Sequence, residues 1–209
     1  MKHGIKHYSF IQASRFVFFT LLTGMGIGLS VSLVASMFVT GLHFLTDHRH
    51  AMESYFPLLK IAGGSVVPMI WLIGAALLLW GVRRLFGIKR WHGPADSIFG
   101  AHRLNNEIDV KAGVGSTLAA FVSLGGGASV GQYGPLVHFG ATIGTYIRQF
   151  FKNITIGTDV FIGCGVAAAI AAGFHAPIAG IVFAHEAVLR HFSFRALTPI
   201  AISSITSAD

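Results

Sequence analysis

Charged side chains are scarce in this sequence. Asp, Glu, Lys and Arg make up 11% of its 209 residues while 53% are apolar, and mean hydropathy reaches +0.68. That balance excludes an ordinary soluble domain and points to a chain embedded in lipid. Acidic residues are the rarer sign, 8 against 15 Lys and Arg, for a net charge of +7. A basic balance can indicate nucleic acid, but these cations sit at the ends of apolar runs. There they fit positive-inside topology and contact with anionic headgroups, so nucleic acid is not an expected partner. Cysteine is reduced to one residue, Cys164, which excludes an intramolecular disulfide and reads as a small packing residue in an apolar run. No strand pattern precedes Gly24, Gly26 and Gly28, and no acidic partner follows them, which excludes a dinucleotide loop. These glycines read instead as a small-residue face for close helix packing. The glycines of residues 125–131 are not followed by Lys-Ser or Lys-Thr, so they form no phosphate-cradling loop. His185-Glu186 is no zinc-protease motif, because Leu189 stands where the second histidine belongs. No cofactor and no metal are expected.

What is abundant is uninterrupted apolar sequence. Residues 16–42, 61–82, 112–147 and 160–184 contain no Asp, Glu, Lys or Arg and are long enough to cross a bilayer. The last two exceed one span and contain Gly and Pro, so each reads as two shorter or re-entrant helices with a break between them. Residues 196–208 begin a further apolar helix. The first run is too long and too weakly flanked for a signal peptide, and stays as a span. Lys2, Lys6 and Arg15 precede it, and Arg83, Arg84, Lys89 and Arg90 follow the second. Both groups belong on the cytoplasmic side, with residues 1–15 as a basic cytoplasmic segment and 16–209 as the transmembrane domain. Residues 43–56 carry mixed charges and read as an outward-facing loop.

The most informative stretch is residues 123–146, SLGGGASVGQYGPLVHFGATIGTY. A glycine-rich bend and Gly134-Pro135 stand in front of an uncharged helix-forming run. Proline is pre-set for the start of a helix, and glycines before it leave backbone N–H groups unobstructed. A helix amino end with bare amides attracts anions, because aligned peptide dipoles leave partial positive charge there. In lipid such a break survives only if buried in protein or lining a cavity. An anion pathway is the physical reading.

These residues also resemble a known family. GGGASVGQYGPLVHFGATIG is similar to the CLC chloride channel and transporter signature, G-x-G-A-S-x-G-R-E-G-P followed by an apolar helix. AAGFHAPIAGIVFA, residues 171–184, resembles the family's A-A-x-F-N-A-P-L-A-G-x-x-F-A segment, and Gly93-Pro94-Ala95-Asp96 its G-x-P-E. The resemblance implies an all-α membrane protein, a multi-span bundle with broken or re-entrant helices that forms half of an inverted-repeat fold. The second repeat, with its G-x-F-x-P anion loop and pore tyrosine, lies outside these 209 residues. It further implies a multi-pass protein, placed in a bacterial inner membrane, that passes chloride or a similar anion, is not an enzyme and is a homodimer with a pore in each subunit.

Carried over residue by residue, the anion site comprises Gly131, Gln132, Tyr133, Gly134 and Pro135, with His92 and Gly93 from the first pore loop. Gln132 and Tyr133 replace the family's arginine and gating glutamate. A phenol holds its proton at neutral pH and can donate a hydrogen bond to an anion, but it does not relay protons as a carboxylate does; packing at the cavity mouth is its other reading. His92 takes the position of an anion-binding serine, where it can donate to the anion or, with Arg90, attract it at the cytoplasmic mouth. Asp96 reads as an N-cap carboxylate. The family's inner acidic pair becomes Glu186 and Ala187, leaving Glu186 as the possible inner acid or as a structural ion pair with Arg190, four residues on. The implied function is passive, uncoupled anion conductance; the alternative within the family is a Cl-/H+ antiporter with an atypical proton path. From another class, Gly127-Ala128-Ser129-Val130-Gly131 matches G-x-S-x-G, and His138 or His175 could serve an intramembrane serine protease, but the elbow needs a preceding strand.

Overall fold

The computed structural model describes residues 10–55, 60–61, 64–103, 108–151 and 156–208. Helix α1 (Phe10–Tyr55) leads, followed by a two-residue antiparallel pairing of β1 (Lys60–Ile61) with β2 (Gly64–Ser65). Then come α2 (Val67–Phe86), α3 (Pro94–His102), α4 (Val110–Gly125), α5 (Tyr133–Phe150), α6 (Thr158–Phe174), α7 (Pro177–Phe183) continued by a π turn (Ala184–Leu189), and α8 (Phe194–Thr206). This is the all-α architecture with broken helices that the sequence predicts. Each long apolar run divides where its breakers stand: between α4 and α5 at Gly126 and Gly127, and between α6 and α7 at His175, in a left-handed conformation, before Pro177.

Two helices among the described residues, Val17–Tyr55 and Val67–Phe86, are long and apolar enough to cross a membrane. The expected loop over residues 43–56 is not a loop: α1 continues through Tyr55, and Phe56 lies outside the described residues. The segment is polar but contains neither Gly nor Pro after Gly41. Local contacts support the extra turns, with His48 Nδ1 3.0 Å from the Phe44 carbonyl and His50 3.8 Å from Glu53. At the other end, α1 begins at Phe10, inside the segment assigned to the basic amino terminus; residues 1–9 are outside the described residues. Helix α2 presents Ile73, Leu77, Leu78 and Trp80 outward, and ends on Gly87 in the left-handed region with Arg83 and Arg84 in its last turn, where cations complement the helix dipole.

The core surrounds α6, whose residues from Phe161 to Ala171 are all buried. Helices α5 and α6 cross at backbone contact. A methyl on Gly140 would meet the Gly165 carbonyl oxygen, and one on Gly165 would meet that of Gly140. Small residues at such crossings let membrane helices approach where lipid supplies no hydrophobic drive. Helix α8 adds hydroxyl contacts: Ser203, Ser204 and Ser207 donate to the carbonyls of Cys164, Pro177 and Ala168 at 3.0, 2.8 and 2.9 Å. Cys164 is buried in this layer, as a packing residue. Of the three N-terminal glycines, Gly24 and Gly28 face the α8 backbone at Pro199 and Ser203, whereas Gly26 has nothing within 4 Å of its Cβ position. The packing face is narrower than the sequence suggested, because residues two apart lie on opposite sides of a helix.

Candidate functional site

The glycine bend after α4 turns on Gly127, φ +98, whose Cβ position is filled by the Arg49 guanidinium from α1. The chain then passes through Ala128, Ser129 and Val130 to Gly131, which is exposed, and half-buried Gln132. Helix α5 starts at Tyr133, so Pro135 is its third residue rather than its first; it still occupies the turn where a missing N–H breaks no helical bond. No side chain caps this amino end. Among the described residues no side chain accepts from the first amides of α5.

Helix α3 brings its own amino end to the same place. The Cβ position of Gly134 lies 3.5 Å from Pro94 Cγ, so the starts of α3 and α5 touch through a glycine and a proline. Unlike α5, α3 is capped: Asp96 accepts from the Gly93 amide at 2.8 Å and pairs with Arg90. Asp96 is therefore not the N-cap its sequence position suggested: Gly93 takes that place, and Asp96, at the third helical position, forms the returning half of a capping box, while its ion pair offsets a carboxylate that would oppose an anion. The His92 backbone N–H donates to Ser116 Oγ on α4 at 2.9 Å, and its ring meets that of His138 edge to face, centroids 5.9 Å apart. His92, Gly93, Tyr133, Gly134 and Pro135 are thus gathered at two adjoining helix starts.

Tyr133 lies against α6. Its ring stacks on Phe174 with centroids 4.2 Å apart and covers Gly173, and none of the described residues hydrogen-bonds its hydroxyl. Glu186 is exposed and lines a groove of about 560 Å³ with His185, Arg190, His191 and Phe192, a groove whose lining includes none of the residues at the α3 and α5 starts. Of the two readings open for Glu186, the ion pair with Arg190 does not form. The π turn shifts the register that would stack positions four apart, and Arg190 leaves the helix with φ +58. Ser129 is exposed in a segment that follows a helix, not a strand, and among the described residues hydrogen-bonds to no histidine; His175 instead faces the Ala208 carbonyl at 3.3 Å. Among the described residues no group of three His, Cys, Asp or Glu could hold a metal ion. One feature escaped the sequence reading, a buried hydrogen bond of 2.7 Å between Ser97 Oγ and His138 Nδ1. Its only sequence signal is a histidine in a stretch of α5 that carries no charge before Arg148.

The family model described as voltage gated chloride channel matches residues 74–208, the part of the chain that contains both helix starts. The chain belongs to this family. Its relatives include the voltage-gated ClC-type chloride channel ClcB of Yersinia pseudotuberculosis serotype O:1b, 24% identical over 143 residues, which are 68% of this chain and 34% of that protein. The same-named protein of Shigella flexneri is 28% identical over 142 residues, 68% of this chain and 33% of that protein. The match thus spans about a third of the length of these curated relatives. Among solved structures, a slow cyanobacterial Cl-/H+ antiporter superposes with a TM-score of 0.70 at 20% identity, covering 90% of this chain and 45% of that one. That likeness shows the fold, half of the CLC architecture in a family of integral membrane proteins.

Proposed function

We propose that the full-length protein passes small monovalent anions, chloride among them, passively across a membrane, by binding them where α3 and α5 begin. The observation that carries this reading is the uncapped amino end of α5 touching the start of α3 through Gly134 and Pro94. Partial positive charge from such an end attracts an anion without burying a full cation. The backbone amides of Gly131 to Gly134 are the binding groups, Pro135 fixes the first turn, and His92 with Gly93 closes the site from the α3 side. Tyr133, leaning on Phe174, is a hydrogen-bonding constriction at the gate position.

Proton coupling needs carboxylates that load and release H⁺, and Tyr133 and Ala187 stand at the two positions where the family resemblance expects them. Glu186 has no outer carboxylate to hand a proton to. The transport is therefore a conductance and not an exchange, and nothing in it is enzymatic. The protein lies in a bacterial inner membrane with its Arg83, Arg84, Lys89 and Arg90 segment on the cytoplasmic side, and pairs as a homodimer through the face built by α7, the π turn and α8. Proton movement under a chloride gradient tests the coupling directly. Liposomes holding the unmutated protein should show chloride flux without uphill H⁺ movement, and uphill H⁺ movement would refute the uncoupled reading.

A further inference from the structure

His138 is buried to 1% exposure on α5, and Ser97, at 0% on α3, holds its Nδ1 at 2.7 Å. The other ring nitrogen, Nε2, is buried with no hydrogen-bond partner among the described residues. A buried orphan of this kind calls for a bound group, since leaving it unpaired in an apolar interior is costly. The tautomer follows from Ser97. Its hydroxyl has no other acceptor among the described residues, so it donates to Nδ1, and the neutral ring carries its proton on Nε2. The orphan is therefore a donor.

Its location narrows what it serves. Gly134 lies one turn before His138 on the same face of α5 and touches Pro94, so the seam that joins the two helix starts continues to Ser97 and His138. The His92 ring closes against the His138 ring at the α3 end of that seam. The nearby acid, Asp96, is engaged by Arg90 and the Gly93 amide. A cation would meet donors and positive helix ends. A buried water needs two to four polar partners, and among the described residues no other buried side-chain atom in this seam is left unpaired. A monovalent anion needs only donors. Resting on the transport reading above, we infer that His138 is itself an anion ligand, its Nε2–H donating to the ion in the α3–α5 seam. Ser97 is the positioning residue that fixes the donating tautomer.

The test uses full-length protein, ¹⁵N-labelled at histidine, in liposomes, with solid-state NMR of the His138 ring and chloride flux on the same preparations; His138→Gln identifies the signal. Replacing gluconate by chloride should move the Nε2 resonance in a saturable way, and Ser97→Ala should mix the two tautomers. His138→Leu should raise the chloride concentration for half-maximal flux about tenfold, the effect of one lost hydrogen bond to a charged group, while His138→Gln retains most of the affinity. An Nε2 resonance indifferent to chloride, in protein that carries anion flux, overturns the inference and leaves a water-bound or purely structural histidine. A chloride-dependent Nε2 resonance in protein without flux would keep the site and refute the transport reading instead.

Discussion

Alanine at Gly165 should destabilise the protein although alanine is the better helix former. Its methyl would land on the Gly140 carbonyl oxygen, and the reciprocal change at Gly140 would meet the Gly165 carbonyl and come within 2.9 Å of Ala169 Cβ. The obstructing atoms are mainly backbone and cannot rotate away, so α5 and α6 must separate along the best-buried seam of the molecule. Forcing a methyl into a packed interior costs about 1–3 kcal/mol, and the helix-propensity gain returns only about 0.5–1 kcal/mol. The net expectation on those figures is a loss of roughly 0–2.5 kcal/mol, toward the upper end because the obstructing atom is a backbone carbonyl that cannot rotate away. Gly26 supplies the control: with nothing within 4 Å of its Cβ position, Gly26→Ala should be neutral or stabilising by up to about 1 kcal/mol. Thermal denaturation of both full-length variants in mild detergent, followed by size-exclusion chromatography, reads the difference. A Gly165→Ala protein as stable as the Gly26→Ala protein would refute the close-crossing argument.

Tyr133→Ala should widen the path and speed chloride efflux from liposomes several-fold; slower or unchanged efflux would remove Tyr133 from the constriction. Tyr133→Glu should make flux pH-dependent in one direction, since an ionised carboxylate competes with the anion at high pH and its protonation at low pH relieves the block; equal flux at pH 4 and pH 8 would count against it. Gly127→Ala should cost about 1–2 kcal/mol in a melting experiment, because a left-handed backbone strains an alanine and the Arg49 guanidinium occupies the methyl's place; an unchanged melting temperature would argue against that bend.

The helix breaks were legible because their signals are local. Gly126, Gly127, Pro135 and Pro177 interrupt apolar runs too long for one span, and the chain divides at or beside them. The continuation of α1 to Tyr55 was not legible from polarity, because a charged stretch without Gly or Pro can stay helical in water beyond the lipid. Spacing alone left the Glu186–Arg190 pair open: positions four apart pair in an α-helix but not across a π turn, which no residue type announces. The approach of Gly134 to Pro94 joins parts of the chain that only the fold brings together, and the Ser97–His138 bond spans 41 residues. For such pairs one sequence supplies candidates but no distances. The candidate anion-site residues fared between these cases: Gly134-Pro135 announced the start of α5 to within two residues, but not its meeting with α3.

Anions are expected to bind at the joined starts of α3 and α5 and to cross the membrane there. Full-length protein in liposomes with an outward potassium chloride gradient tests it most directly, with valinomycin added so that potassium can balance the charge. Chloride should leave the vesicles only when valinomycin is present, and Gly134→Val, which places a branched side chain against Pro94, should abolish that release. Chloride release that survives Gly134→Val unchanged, or a protein-dependent flux carried by cations, would rule out anion passage at these helix starts.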